Sequence, residues 1–83
     1  MKLKFTNHFF RSLKRLSPVV QEVFWERAEI FEKDIFNPKL KTHKLRNLKN
    51  RWAFSVNFSV RVIFYLEKDT VTFLEIGDHS IYN

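Results

Sequence analysis

Apolar residues change their spacing at Asn37-Pro38, and that switch limits the folds open to this chain. Upstream they recur at helical intervals: Phe9, Phe10, Leu13 and Leu16, then Val20, Val23, Phe24, Ile30, Phe31 and Ile35. Arg27 is the one polar interruption of the second stripe. Downstream they alternate: Trp52, Phe54 and Val56 against Arg51, Ala53, Ser55 and Asn57, then Val60, Val62, Phe64 and Leu66 against Arg61, Ile63, Tyr65 and Glu67. A spacing of three and four marks a helix with one buried side, whereas a spacing of two marks a half-buried strand.

Punctuation residues place the ends of these elements. Thr6 or Asn7 can cap a first helix running to about Leu16. Ser17-Pro18 restarts the chain with a cap followed by proline at the first helical position, and Asn37-Pro38 closes the second helix. Asn57-Phe58-Ser59 and Lys68-Asp69-Thr70 read as turns, with a β-rich run from Val71 to Ile76 ending at Gly77. Residues 2 to 5 are available as an additional edge strand. The expected fold is α+β: an N-terminal helical hairpin packed on one face of a three- to four-stranded antiparallel sheet, a single domain over residues 1–83.

Ten of the fourteen aromatic residues are Phe, which fill a core without needing a hydrogen-bond partner. Cysteine is absent, which removes disulfides and thiolate metal sites and suits a reducing cytoplasm. Met1-Lys2-Leu3-Lys4-Phe5 is too short and too charged for a signal peptide, and no apolar run approaches the roughly 20 residues of a membrane span. A soluble cytoplasmic protein is expected.

The net charge of +6 is segregated. Residues 1 to 16 hold five bases and no acid, and residues 37 to 64 hold seven bases and no acid. Between them, residues 17 to 36 hold five acids against Arg27 and Lys33. One basic flank therefore accompanies one acidic helix, and a polyanion such as nucleic acid is the natural partner for the former. Lys39, Lys41, Lys44, Arg46, Lys49 and Arg51 are the candidate backbone contacts.

Metal-free RNA cleavage requires a base for the 2′-hydroxyl, a cation for the phosphorane and an acid for the leaving oxygen. Arg61 is the candidate cation, because its planar fork can grip two phosphate oxygens without losing charge. A surface ion pair with Glu67 or Glu75 is the plainer alternative. His79 is the candidate acid or base, and Tyr82 can stack, hydrogen-bond or supply a proton. His43, within a basic segment, is a second candidate base or else a loop residue bonded to backbone. Trp52 shares a strand face with Phe54 and Val56 and reads as core, Trp25 as core edge or partner surface, and His8 as structural or exposed. His8, His43 and His79 have no metal-ligand spacing, and no phosphate-binding glycine loop or Ser-His-Asp order is present. No cofactor is implied.

The block His43-Lys44-Leu45, Leu48-Lys49, Trp52-Ala53-Phe54-Ser55-Val56-Asn57, Ser59-Val60-Arg61-Val62-Ile63-Phe64 and Leu74-Glu75-Ile76-Gly77-Asp78-His79-Ser80-Ile81-Tyr82 resembles the RelE/ParE superfamily of bacterial toxins, in its RelE/StbE branch. The resemblance implies the fold just derived, cleavage of messenger RNA on the ribosome, and a cognate antitoxin, acidic and partly disordered, that binds the toxin in a hetero-oligomer. It places Arg61 at the family's central-strand arginine, and His79 and Tyr82 in its C-terminal catalytic segment. Departures also occur: Trp52, Ala53 and Phe54 stand where some members carry lysines. Glu75 and Asp78 stand where substrate phosphate is expected to pass. Two alternatives follow, a ParE-like inhibitor of DNA gyrase without chemistry of its own, or a degenerate toxin that only binds its antitoxin.

Overall fold

The computed structural model describes residues 1–78. In chain order its elements are β1 (Lys2–Phe5), α1 (Asn7–Lys14), α2 (Pro18–Lys33), a 3-10 turn (Pro38–Leu40), β2 (His43–Lys44), β3 (Arg51–Ser55), β4 (Arg61–Glu67) and β5 (Thr70–Gly77). Both helices start at the expected caps. Thr6 Oγ1 accepts from Phe9 N at 2.9 Å, and Ser17 Oγ accepts from Val20 N at 3.3 Å with Pro18 behind it. α1 stops at Lys14, short of Leu16. α2 stops where Asp34 turns extended (φ −159°), and the Asp34 carboxylate accepts from Phe36 N at 3.0 Å.

The sheet departs from expectation in strand count and direction. Among the described residues it has five strands in the order β1-β5-β4-β3-β2. It is mixed rather than antiparallel: β1 runs parallel to β5, with Lys2 opposite Thr70 and Phe5 opposite Phe73. The remaining pairs are antiparallel. The chain leaves β1 and enters α1 within two residues, so β1 docks beside the last strand rather than beside a sequence neighbour. Nothing in its four residues fixes a direction. β2 spans two residues, too few to show any period.

Both helices and one sheet face enclose a phenylalanine core. Phe9, Phe24, Phe31, Phe54, Phe64 and Phe73 are fully buried. Phe73 is the hub, with ring centroids 4.9 Å from Phe5, 5.4 Å from Phe31, 5.5 Å from Phe9 and 5.9 Å from Phe24. Tilted and edge-on contacts of this kind add to the burial of the rings. Trp52 packs against this core and meets Phe36 edge-on at 5.6 Å.

One irregularity sets the far end of β5. Phe64 pairs with Phe73, but Ile63 pairs with Glu75, so Leu74 is absorbed in a bulge. Strict alternation counted from Val71 would turn Glu75 inward and Ile76 outward. The bulge reverses this, and Ile76 joins the core. Among the described residues no helix is long and apolar enough to cross a membrane.

Candidate nucleic-acid interface

Arg61 opens β4, opposite Ser55 on β3 and Gly77 on β5. The turn before it is built by Asn57, whose Oδ1 accepts from Ser59 N at 3.0 Å and Val60 N at 2.8 Å. That is how an Asn side chain substitutes for backbone in a turn. Arg61 Nη1 then donates to Asn57 O at 2.8 Å and Phe58 O at 3.0 Å. The guanidinium is thereby strapped to the turn that precedes it.

No carboxylate neutralises it among the described residues. Glu75 Oε1 accepts from His8 Nε2 at 2.9 Å and from Ser12 Oγ at 3.3 Å, both on α1. Glu67 accepts from the Tyr65 hydroxyl at 3.5 Å. The plainer expectation for Arg61, an ion pair with one of these acids, is therefore not what the fold contains.

Around Arg61 lies a cavity of about 320 Å³, also lined by Arg27, Lys39, Lys41, Asn57 and Phe58 and, among the described residues, by no acid. The four cations arrive from three elements, α2, the 3-10 turn and β4. Arg27, the polar interruption of the α2 stripe, is half-buried and held by its Nε donating to Val56 O at 3.2 Å. Lys39 stands in the 3-10 turn, and Lys41 closes that turn in the left-handed conformation (φ 53°, ψ 41°). Cations brought together without counter-charge by a fixed scaffold create a positive potential that favours an anion of phosphate size.

The other candidates are more dispersed. His43 sits exposed on the edge strand β2, opposite Ala53, and its Nδ1 lies 3.0 Å from Lys41 O. A carbonyl can only accept, so Nδ1 carries the proton and neutral His43 presents Nε2 as an acceptor. Paired residues share a sheet face, so His43, Ala53, Ser55 and Arg61 all lie on the face away from the helices. Strand spacing puts the Cα atoms of His43 and Arg61 about 12 Å apart, within reach of one nucleotide for side chains of this length. Lys44, Arg46 and Lys49 are exposed around the segment 44–49. Arg51 instead lies over the Tyr65 ring, its Cζ 5.0 Å from the centroid. It lines a larger hollow of about 410 Å³ with Lys4, but Glu67 shares that wall and offsets the charge.

His79 and Tyr82 lie outside the described residues. Glu75, expected in the path of the phosphate, is bound to α1. Two residues of the cavity escaped the sequence reading, Arg27 and Phe58. Their signals were present: a lone base on an apolar helix stripe, and an aromatic residue in a turn that needed none.

The fold is shared with solved bacterial and archaeal toxins. In the RelB–RelE antitoxin–toxin complex from Methanococcus jannaschii the likeness has a TM-score of 0.80 at 20% identity, over 95% of this chain and 94% of that one. For the YoeB/ParE toxin from Agrobacterium tumefaciens the TM-score is 0.78 at 14% identity, over 95% and 99%. For the RelE–RelB complex from Pyrococcus horikoshii OT3 it is 0.76 at 17% identity, over 93% and 92%. No protein-family model matches the chain, and neither does any curated protein sequence. At these identities the comparison concerns architecture: the chain has the RelE-like fold expected from its sequence.

Proposed function

We propose that this protein is the toxin of a toxin–antitoxin pair and cleaves messenger RNA on the ribosome without a metal. The observation that carries the reading is the cavity at Arg61, walled by four cations from α2, the 3-10 turn and β4 and, among the described residues, by no acid. In the reaction the ribose 2′-hydroxyl loses its proton and attacks the adjacent phosphorus. The P–O5′ bond breaks, and the departing oxygen is protonated. Arg61 stabilises the charge that builds on the phosphorane oxygens. His43, with Nε2 free to accept, and His79, two residues beyond the strand position facing Arg61, are the candidates for proton transfer. Tyr82 positions the substrate. Lys41, Lys44, Arg46, Lys49 and Arg51 hold the RNA backbone.

The Methanococcus jannaschii structure is an antitoxin–toxin complex, and the Pyrococcus horikoshii structure is a RelE–RelB complex. The partner proposed here is a cognate antitoxin, acidic and partly disordered in isolation, that covers the basic surface and forms a hetero-oligomer. Raising the salt concentration should weaken that complex, because its capture is electrostatic.

The test is expression of the isolated gene followed by mapping of RNA 5′ ends. New ends within messengers are expected, together with growth arrest. Arg61→Ala should abolish both, and Arg61→Lys, which keeps charge but loses the fork, should retain at most a small fraction of cleavage. Melting curves would establish that each variant is folded. Intact messengers with DNA-damage signalling would overturn the ribonuclease reading in favour of gyrase inhibition. Absence of any growth defect would leave only an antitoxin-binding protein.

A further inference from the structure

Nine of the ten phenylalanines sit against another aromatic ring, on β1, the helices, the segment after α2 or the sheet. Phe58 does not. Its exposure is 92%, the greatest among the large apolar residues described, and it stands at the tip of the β3–β4 turn. The turn makes no use of it. Asn57 supplies the side-chain bonds that close the loop, and Arg61 Nη1 holds the carbonyls of Asn57 and Phe58 from below. An exposed aromatic residue on a turn, at the rim of a cavity whose charged lining residues are all cations, has the composition of a single-strand binding site, in which nucleobases stack on rings while basic side chains hold phosphates.

Resting on the ribonuclease reading, we infer that Phe58 and this cavity form a nucleotide subsite: one RNA base stacks on the Phe58 ring, and the attached phosphate enters among Arg27, Lys39 and Lys41. Arg61 joins the two functions, because the group that meets the phosphate also fixes the turn carrying the stacking ring. A volume of about 320 Å³ is at the small end of ligand pockets and suits a phosphate and sugar rather than a whole duplex. Every base has a face to stack, so the subsite selects single-stranded RNA over paired RNA without dictating sequence.

The experiment measures binding of the full chain, by fluorescence anisotropy at low salt, to a labelled hexauridine and to a matched abasic hexamer. Wild-type protein should favour the hexauridine. Phe58→Ala should weaken hexauridine binding about tenfold, leave abasic binding unchanged and so erase the preference. Phe58→Trp should preserve it. Lys39→Gln with Lys41→Gln should weaken both chains alike. Since Phe58 supports no packing, its variants should melt like the parent. The subsite is refuted if wild-type protein does not distinguish the chains, if it binds neither, or if Phe58→Ala keeps the preference. It is refuted as well if Phe58→Ala removes toxicity with RNA binding intact, which would make the ring a protein contact. The binding results leave cleavage itself untouched, and the mapping of RNA 5′ ends and Arg61→Ala decide it separately.

Discussion

Lys41 and Lys68 both hold a left-handed backbone, with φ of 53° and 55°, a region in which a side chain crowds the following carbonyl. Lys41 lines the cationic cavity, and Lys68 sits in the β4–β5 turn outside it. Replacing each with Gly therefore applies one backbone change to two functional settings. Relief of the left-handed strain is worth roughly 1–2 kcal/mol. Glycine's greater freedom in the unfolded chain takes back about 0.4–1 kcal/mol. The net expectation for each variant is a gain of about 0.5–1 kcal/mol, or a rise in Tm of about 2–8 °C for a domain of this size. Thermal unfolding followed by the fluorescence of Trp25 and Trp52 would measure it. The two should then separate in RNA binding. Lys68→Gly should bind single-stranded RNA like the parent. Lys41→Gly should bind more weakly, with the slope of log affinity against log salt reduced by about 0.7, the contribution of one phosphate contact on a single strand. A Lys41→Gly protein that melts higher yet keeps its affinity and salt slope would remove Lys41 from the binding site. One that melts lower would refute the strain argument.

Truncating the core hub, Phe73→Ala, should cost about 3–5 kcal/mol, a large share of the stability of a domain this small, and urea denaturation would read it directly. Glu75→Ala should cost less than about 1 kcal/mol, because the pair it forms with His8 is solvent-accessible on both sides, with His8 exposed and Glu75 half-buried. RNA cleavage by that variant should be unchanged; a marked increase would return Glu75 to the path of the phosphate.

The helices and the three long strands were legible because their periods are long and their ends carry unambiguous signals, Thr6, Ser17-Pro18 and Asn37-Pro38. β2 could not be read, since two residues have no period. β1 showed its alternation of Lys2 and Lys4 with Leu3 and Phe5, but a strand's direction is set by where the chain docks it and not by its residues. The bulge at Leu74 was hidden for a related reason: alternation registers an extra residue only when the partner strand is known. At the site, Arg61 and the basic run from Lys39 to Arg51 stood out by residue type. Their division between separate hollows did not, because it follows from the turn geometry at Lys41 and the packing of Arg51 on Tyr65. Arg27 was visible as an oddity on its helix, without any indication that it faced the β3–β4 turn.

The parallel pairing of β1 with β5 has a consequence for how the protein is made. Among the described residues β1 is completed only by β5, so the longest-range contacts in the sheet are also the ones needed to shut it. In a nascent chain Leu3 and Phe5 lack their strand partner until Thr70 to Gly77 has emerged, with only the rings of α1 and α2 for Phe5 to pack on. Under the reading proposed here, a protein that arrests translation cannot acquire its working form before residues 70 to 77 have been made and paired with β1.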